Sequence, residues 1–451
     1  VNLTLVLVLV VFFAFAVGHL VTRFASRFVR LTGAEFVLVG VLIGPHFAWP
    51  LMSLDGLARL DPLISLLLGL AGFVLGLRFR TVLKAVDAAG AGLASTLLTI
   101  LGTGVALLGA LVALAPAAPV TDFVVDTPLV RFGGWVVELH FTSDQLWVAV
   151  ALGCAASVVS TAAIDAVVRL ARAQGPVTRL VGTSGTMAQV VAVLVLGLAM
   201  STARATGAET PFHLTVVEWA VASVGAAVVS GLLFGLFIGR ESDANRVYLA
   251  TVGLVTFASG VGAALGISPL FINLLAGVTV SATSPHADQV CRQLDRLHHP
   301  IFVLMMVFAG AHWSVPPTEY WVLPAVYLVT RIVARRLVTP LTASMFLESV
   351  PRARRLGAGM LSQGIMAVAI GLYAVQRFPE QASPILTTVL VGVLASDLFS
   401  DQALRTVLID AGEAGQGALP DESDSDRPGD GDDRCDPVPS IAATRVSRRP
   451  R

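Results

Sequence analysis

The sequence predicts an all-α polytopic membrane protein with about thirteen transmembrane helices, each needing about 20 mostly apolar residues. Three observations point there. Of the 451 residues, 55% are hydrophobic and only 13% charged, about half the charged share of an ordinary soluble domain. Mean hydropathy is +0.80. Apolar stretches recur along nearly the whole chain, separated by short polar loops whose arginines alternate in abundance. Lys and Arg together number 30, matched by 30 Asp and Glu, so the chain lacks the net basic face that a nucleic-acid partner requires. Cys154, Cys291 and Cys435 are too scattered for a disulfide framework or a zinc cluster.

The predicted spans run Leu3–Val21, Glu35–Trp49, Pro62–Leu77, Ala89–Leu114, Gln145–Ala163, Leu180–Met200 and Val216–Ile238. They continue with Tyr248–Leu265, Pro269–Ala282, Pro300–Trp313, Trp321–Leu341, Leu356–Val375 and Ile385–Phe399. In the first, Ala14 and Ala16 make a loose small-x-small pattern. Arg23, Arg27 and Arg30 follow this segment rather than precede it, so it reads as a span and not a cleaved leader.

The first loop carries those three arginines, and the third carries Arg78, Arg80 and Lys84. Later odd loops carry Arg169, Arg172 and Arg179, then Arg240 and Arg246, Arg292 and Arg296, and Arg352, Arg354 and Arg355. Even loops hold single basic residues such as Arg59, Arg131, Arg204 or Arg377, or none. Because basic loops stay cytoplasmic, the expected N-terminus is outside and the C-terminus inside. After the last span, Asp421–Asp436 holds eight acids among Gly, Pro and Ser. Such a stretch cannot bury enough apolar area to offset its ordering entropy, so residues 406–451 are expected to be a disordered cytoplasmic tail.

Three segments depart from plain apolar helix. Val37–Pro45 places Gly40 and Gly44 on one face ahead of Pro45, a spacing that lets helices approach closely. Gly153–Ile164 puts Ser157, Ser160 and Thr161 in mid-span. Such hydroxyls either bond the backbone four residues back or line an interrupted helix. Gly357–Ile370 combines Gly357, Gly359 and Gly364 with Ser362 and Gln363, which weakens helix there. With the seventh span taken as a linker, the two polar segments each fall on the fifth span of a six-span half, and the halves are inverted. Matched interruptions in inverted halves point to a midplane ion site.

Across Leu3 to Phe399 the sequence resembles the cation/proton antiporter superfamily, in its Kef-like and bacterial sodium/proton exchanger branch. VLVGVLIGPHF resembles that family's second-helix signature, LLLGLAGFVLGLRFR its third helix, and Ala155–Ala163 its first broken helix. LGISPLFINLLAGVTVS and IFVLMMVFAG are similar to the scaffold helices of its second half. Thr330–Arg335 resembles a helix with a functional basic residue at Arg335, and MLSQGIMAVAI the second broken helix.

The resemblance implies two crossed broken helices and a monovalent cation (Na+ or K+) and protons as substrates. It also implies a homodimer in the cell membrane, with no cofactor or resident metal. It divides the chain into scaffold helices over 1–85, core helices over 86–200, a linker over 201–245, scaffold again over 246–315 and core over 316–405.

One departure matters. The family's helix after the first broken one carries a carboxylate beside a Gln; here Gln189 is followed by Val190, and Ile365 replaces a second family acid. The expected ion pathway is Ser157, Ser160, Thr161, Gln189, Arg331, Arg335, Ser362 and Gln363. Asp165 and Asp397 are candidates for a relocated acid, although both are expected nearer span ends than midplane. Without the carboxylate, the arginines either favour an anion or snorkel to the cytoplasmic surface beside Arg336. The alternative reading is therefore an antiporter-fold protein that is an anion carrier or a regulatory relative. An enzyme is not expected. Gly182–Gly185, GTSG, matches a rhomboid-protease pattern, but the histidines His286, His298, His299 and His312 fall in loops or at span edges.

Overall fold

The computed structural model describes residues 33–47, 52–82, 85–114, 130–132, 135–137, 142–205, 215–238, 244–284, 287–295, 297–346 and 355–415. The first predicted span and the acidic run after 421 lie outside the described residues.

The described chain is almost wholly helical: α1 Ala34–Ile43, α2 Leu54–Ala58, α3 Asp61–Leu77, α4 Phe79–Val82, α5 Val86–Leu114, α6 Ser143–Ser157, α7 Thr161–Ala171, α8 Pro176–Ala205 and α9 Val216–Ile238. Then come α10 Ala244–Leu265, α11 Pro269–Thr283, α12 Ala287–Asp295, α13 His298–His312, α14 Val322–Phe346, α15 Leu356–Gly359, α16 Gly364–Arg377 and α17 Ala382–Asp410. A small antiparallel hairpin pairs Val130 with Val137 and Phe132 with Trp135 in the loop before α6.

Among the described residues six helical segments are long and apolar enough to cross a membrane, and α1, α3, α11, α13 and α16 are shorter apolar helices. Predicted spans two to thirteen each overlap one of these except the eleventh, which corresponds to α14 with its three arginines. The second is shorter than expected, since Gly44 leaves the helix with an extended backbone at φ −64°, ψ 163°.

Two helices show how the sequence solves the problem of polar residues in lipid. On α14 the buried residues Tyr327, Arg331, Arg335 and Thr339 recur every four positions, and so do the exposed Val329, Val333, Leu337 and Leu341. The helix is thus amphipathic with its polar stripe inward, the reverse of a soluble surface helix. On α5 the buried Thr96, Thr99 and Thr103 hydroxyls donate to Gly92, Ser95 and Thr99 carbonyls at 2.7, 2.7 and 2.6 Å. Leu97, Leu101 and Val105 face outward.

Helices α3 and α11 pack along their length, and α1 packs on α13. Both contacts are made by glycine. A Cβ on Gly72 or Gly76 would run into the Leu270 or Leu274 carbonyl, and one on Gly40 or Gly310 into the Val307 or Val37 carbonyl. Gly40 and Gly44 therefore serve close packing. A second set of contacts joins α5 to α6, α8 and α14, α6 to α8 and α16, and α16 to α17.

The end of the chain differs from expectation. Helix α17 runs 29 residues to Asp410, so residues 406–410 belong to a helix, and 411–415 are ordered against the α7–α8 turn. The reason is specific. Glu413 is buried, and its carboxylate caps the start of α8, accepting from Val177 N at 2.7 Å and Thr178 N at 2.8 Å. The tail expected from 406 can begin only after 415.

Candidate functional site

Helix α6 stops at Ser157, and Val158 and Ser160 are extended at ψ 144° and 106° before α7 starts at Thr161. The Ser160 side chain caps α7 by accepting from Ala163 N at 3.3 Å, the usual service of serine at a helix start. Ser157 turns its hydroxyl back to Cys154 O at 2.8 Å. The second interruption lies between α15 and α16, over residues 360–363. Gly364 restarts the helix at φ 64°, a left-handed conformation that favours glycine, and a Cβ there would strike the Ser160 side chain.

The two interruptions lie against each other. Ser160 N donates to Ser362 O at 3.0 Å, and the Ser362 hydroxyl returns a bond to Ser160 O at 3.4 Å. Gln363 Nε2 donates to Ala155 O at 3.0 Å and to the Tyr327 hydroxyl. Gln189 Nε2, from α8, donates to Val159 O at 2.6 Å.

Arg331 fastens both breaks at once. Its Nε donates to Ala156 O at 2.8 Å and its Nη2 to Val158 O at 3.0 Å. On the other side Nη1 reaches Leu361 O at 2.6 Å and Ser396 Oγ at 3.3 Å, and Nη2 reaches Ser362 O at 3.3 Å. Arg335 donates to Ser157 O and to Ser95 Oγ. At 1% and 0% exposure, neither arginine snorkels. Each is held by carbonyls at the ends of half-helices, where the partial charge is negative.

Beside the crossing is a cavity lined by Ser160, Thr161, Gln189, Gln363, Arg78, His298 and apolar residues of α3, α13 and α16. Of the expected pathway, Ser160, Thr161, Gln189 and Gln363 thus come together on it. Ser157, Ser362, Arg331 and Arg335 sit behind it and shape the backbone. Asp165, one turn past Thr161, is half-buried and does not line it. Asp397 is half-buried midway along α17 rather than near its end, close enough to attract Arg331 electrostatically. Val190 is buried in the apolar core. No Asp or Glu lines the cavity among the described residues.

Arg78 and His298 were not expected here. Arg78 counts in the sequence as a cytoplasmic loop charge, yet its Nη1 approaches Thr161 Oγ1 at 3.4 Å. Its position immediately after the apolar run of α3 was the available signal.

No family model matches the chain, and no curated protein matches it in sequence. Its structure is similar to that of the sodium proton antiporter MjNhaP1 from Methanocaldococcus jannaschii at pH 8. The TM-score is 0.61 at 15% identity, over 90% of this chain and 100% of that one. A structure of the same antiporter from an electron-microscopy map gives a TM-score of 0.61 at 14% identity, over 89% and 96% of the two chains. The chain has the cation/proton antiporter fold. In this chain the crossing is fastened by two buried arginines, and no carboxylate lines the cavity among the described residues.

Proposed function

We propose that the chain is a secondary transporter that exchanges a monovalent cation, Na+ or K+, against protons by alternating access, with the crossing cavity as its ion site. The observation that carries this reading is the mutual pairing of two interrupted helices at Ser160 and Ser362, in a fold shared with a sodium proton antiporter. Unwound backbone inside a membrane protein is tolerated where it is buried or lines a cavity, and it supplies oxygen ligands there.

In this reading α5–α8 and α14–α17 form the moving unit. Helices α1, α3, α10, α11 and α13 form a scaffold that dimerises, and α9 joins the halves. The arginine alternation supports an external N-terminus and a cytoplasmic C-terminus in the cell membrane. Neutral oxygens of Ser160, Thr161, Gln189 and Gln363 face the ion. Proton carriage falls to Asp165 or Asp397, since α8 has Val190 at the acid position and a proton-exchanging site needs a titratable group.

A second reading, transport of a small anion, is favoured by one observation: among the described residues the lining includes Arg78 and His298 but no acid. Both half-helix starts, at Thr161 and Gly364, add positive partial charge. Proteoliposome flux with an internal pH dye separates the two. Cation-driven proton movement, lost in Asp165→Asn or Asp397→Asn, supports exchange. Anion-dependent flux indifferent to both substitutions supports the second reading. Absence of flux for every ion tested would overturn both.

A further inference from the structure

The feature that the ion site leaves unused is the carboxylate of Glu413. It comes from beyond the end of α17, yet both its oxygens are spent on another helix. Oε1 accepts from Val177 N at 2.7 Å, and Oε2 accepts from Thr178 N at 2.8 Å and Thr178 Oγ1 at 2.6 Å. These are the first amides of α8, which its own chain leaves without intrahelical partners, and a carboxylate is the favoured group there.

The backbone joins in. Gln174 N donates to Glu413 O at 3.3 Å, and Gly415 N donates to Ala171 O, at the end of α7, at 2.9 Å. Two glycines make the docking possible. Gly412 turns the chain out of α17 at φ 73°, and Gly175 leaves the space that the carboxylate fills.

The position of this contact gives it leverage. Helix α17 is already attached at the crossing, through Ser396 to Arg331 and to Gln363. Ser396 and Asp410 are about 21 Å apart along α17 at 1.5 Å per residue. On α8, Gln189 at the crossing and Val177 at the clasp are about 18 Å apart. Between these two places α17 packs on α7, with Leu404, Val407 and Leu408 in one apolar cluster with Val167, Val168 and Leu180. Apolar packing is non-directional; a hydrogen-bonded attachment about 20 Å from the crossing fixes how the end of α17 sits on the α7–α8 turn.

We propose that Glu413 is a clasp that locks the end of α17 to the α7–α8 turn, so that one helix of the second half and two of the first move as one rigid body. The clasp goes beyond the transport reading and does not depend on which ion is carried. It also puts whatever follows residue 415 in direct mechanical connection with the broken helices.

The test is hydrogen exchange read by mass spectrometry on the full chain in lipid nanodiscs. In the native protein, residues 168–171, 176–179 and 404–415 should open together, with protection within about threefold of one another. In Glu413→Gln, which keeps the shape but only one carbonyl acceptor, exchange should rise at least tenfold in all three segments. Gly175→Ala, which crowds the carboxylate, should do the same. A rise confined to 176–179 would show a local helix cap and overturn the proposal, as would native protection differing more than tenfold among the three segments. The native measurement stands even if both variants fail to assemble, and none of the readouts requires transport activity.

Discussion

Replacing Arg331 by Met removes a guanidinium while keeping an unbranched side chain of similar reach. Four buried backbone carbonyls, those of Ala156, Val158, Leu361 and Ser362, lose a donor. A buried acceptor left without a partner costs about 1–3 kcal/mol. Ser362 O keeps the Ser160 amide; the other three together amount at the low end to roughly 3 kcal/mol, and the removed charge returns part of its desolvation. The expected net loss is about 2 kcal/mol, a large fraction of the 5–15 kcal/mol that typically separates folded from unfolded protein. Arg331→Lys should fall between, because an ammonium has three donors but cannot span both breaks in a fixed plane. Unfolding of the purified protein in mild detergent, followed by intrinsic fluorescence against denaturant, measures all three. A Met variant within about 1 kcal/mol of native would refute the reasoning, as would a Lys variant as costly as Met.

Gln189→Glu can keep its bond to the Val159 carbonyl only as the neutral acid. Its thermal midpoint should match the native protein under acidic conditions and drop as pH rises; a midpoint parallel to native across the range would sink the assignment. Gly40→Ala drives a methyl toward the Val307 carbonyl and should cost about 1–3 kcal/mol, in the range of overpacking. Gly102→Ala, where an added Cβ meets nothing, should instead gain up to about 1 kcal/mol of helix propensity. The same unfolding assay compares the pair, and equal effects would remove the packing argument.

Most of the architecture was legible because membrane segments announce themselves. Each needs a long apolar run, and polar residues within such a run are conspicuous. Ser160, Thr161, Ser362 and Gln363 stood out for that reason, Gln189 only through the family resemblance, and the structure gathers them. What stayed hidden was direction. Arg331 and Arg335 are equally visible in sequence whether they snorkel or turn inward; only the facing apolar stripe of Val329, Val333, Leu337 and Leu341, itself at four-residue spacing, decides it. Arg78 and Glu413 were hidden for another reason. Each sits at the end of an element, where a charged residue is ordinary, and each acquires its partner from a segment distant in sequence. Glu413 and Thr178 are 235 positions apart, and no local pattern encodes such a pairing.

The reciprocal bond between the two breaks has a consequence for how the chain is made. When α6 and α7 leave the ribosome, the donors for the Ala156 and Val158 carbonyls do not yet exist; Arg331 is 175 and 173 residues further along. Lipid offers no substitute donor. Until the second half arrives, the first must either hold residues 143–171 as one unbroken helix or wait where water reaches the gap. The interruption is thus a property of the finished pair of halves, completed late in synthesis, and each half supplies what keeps the other unwound.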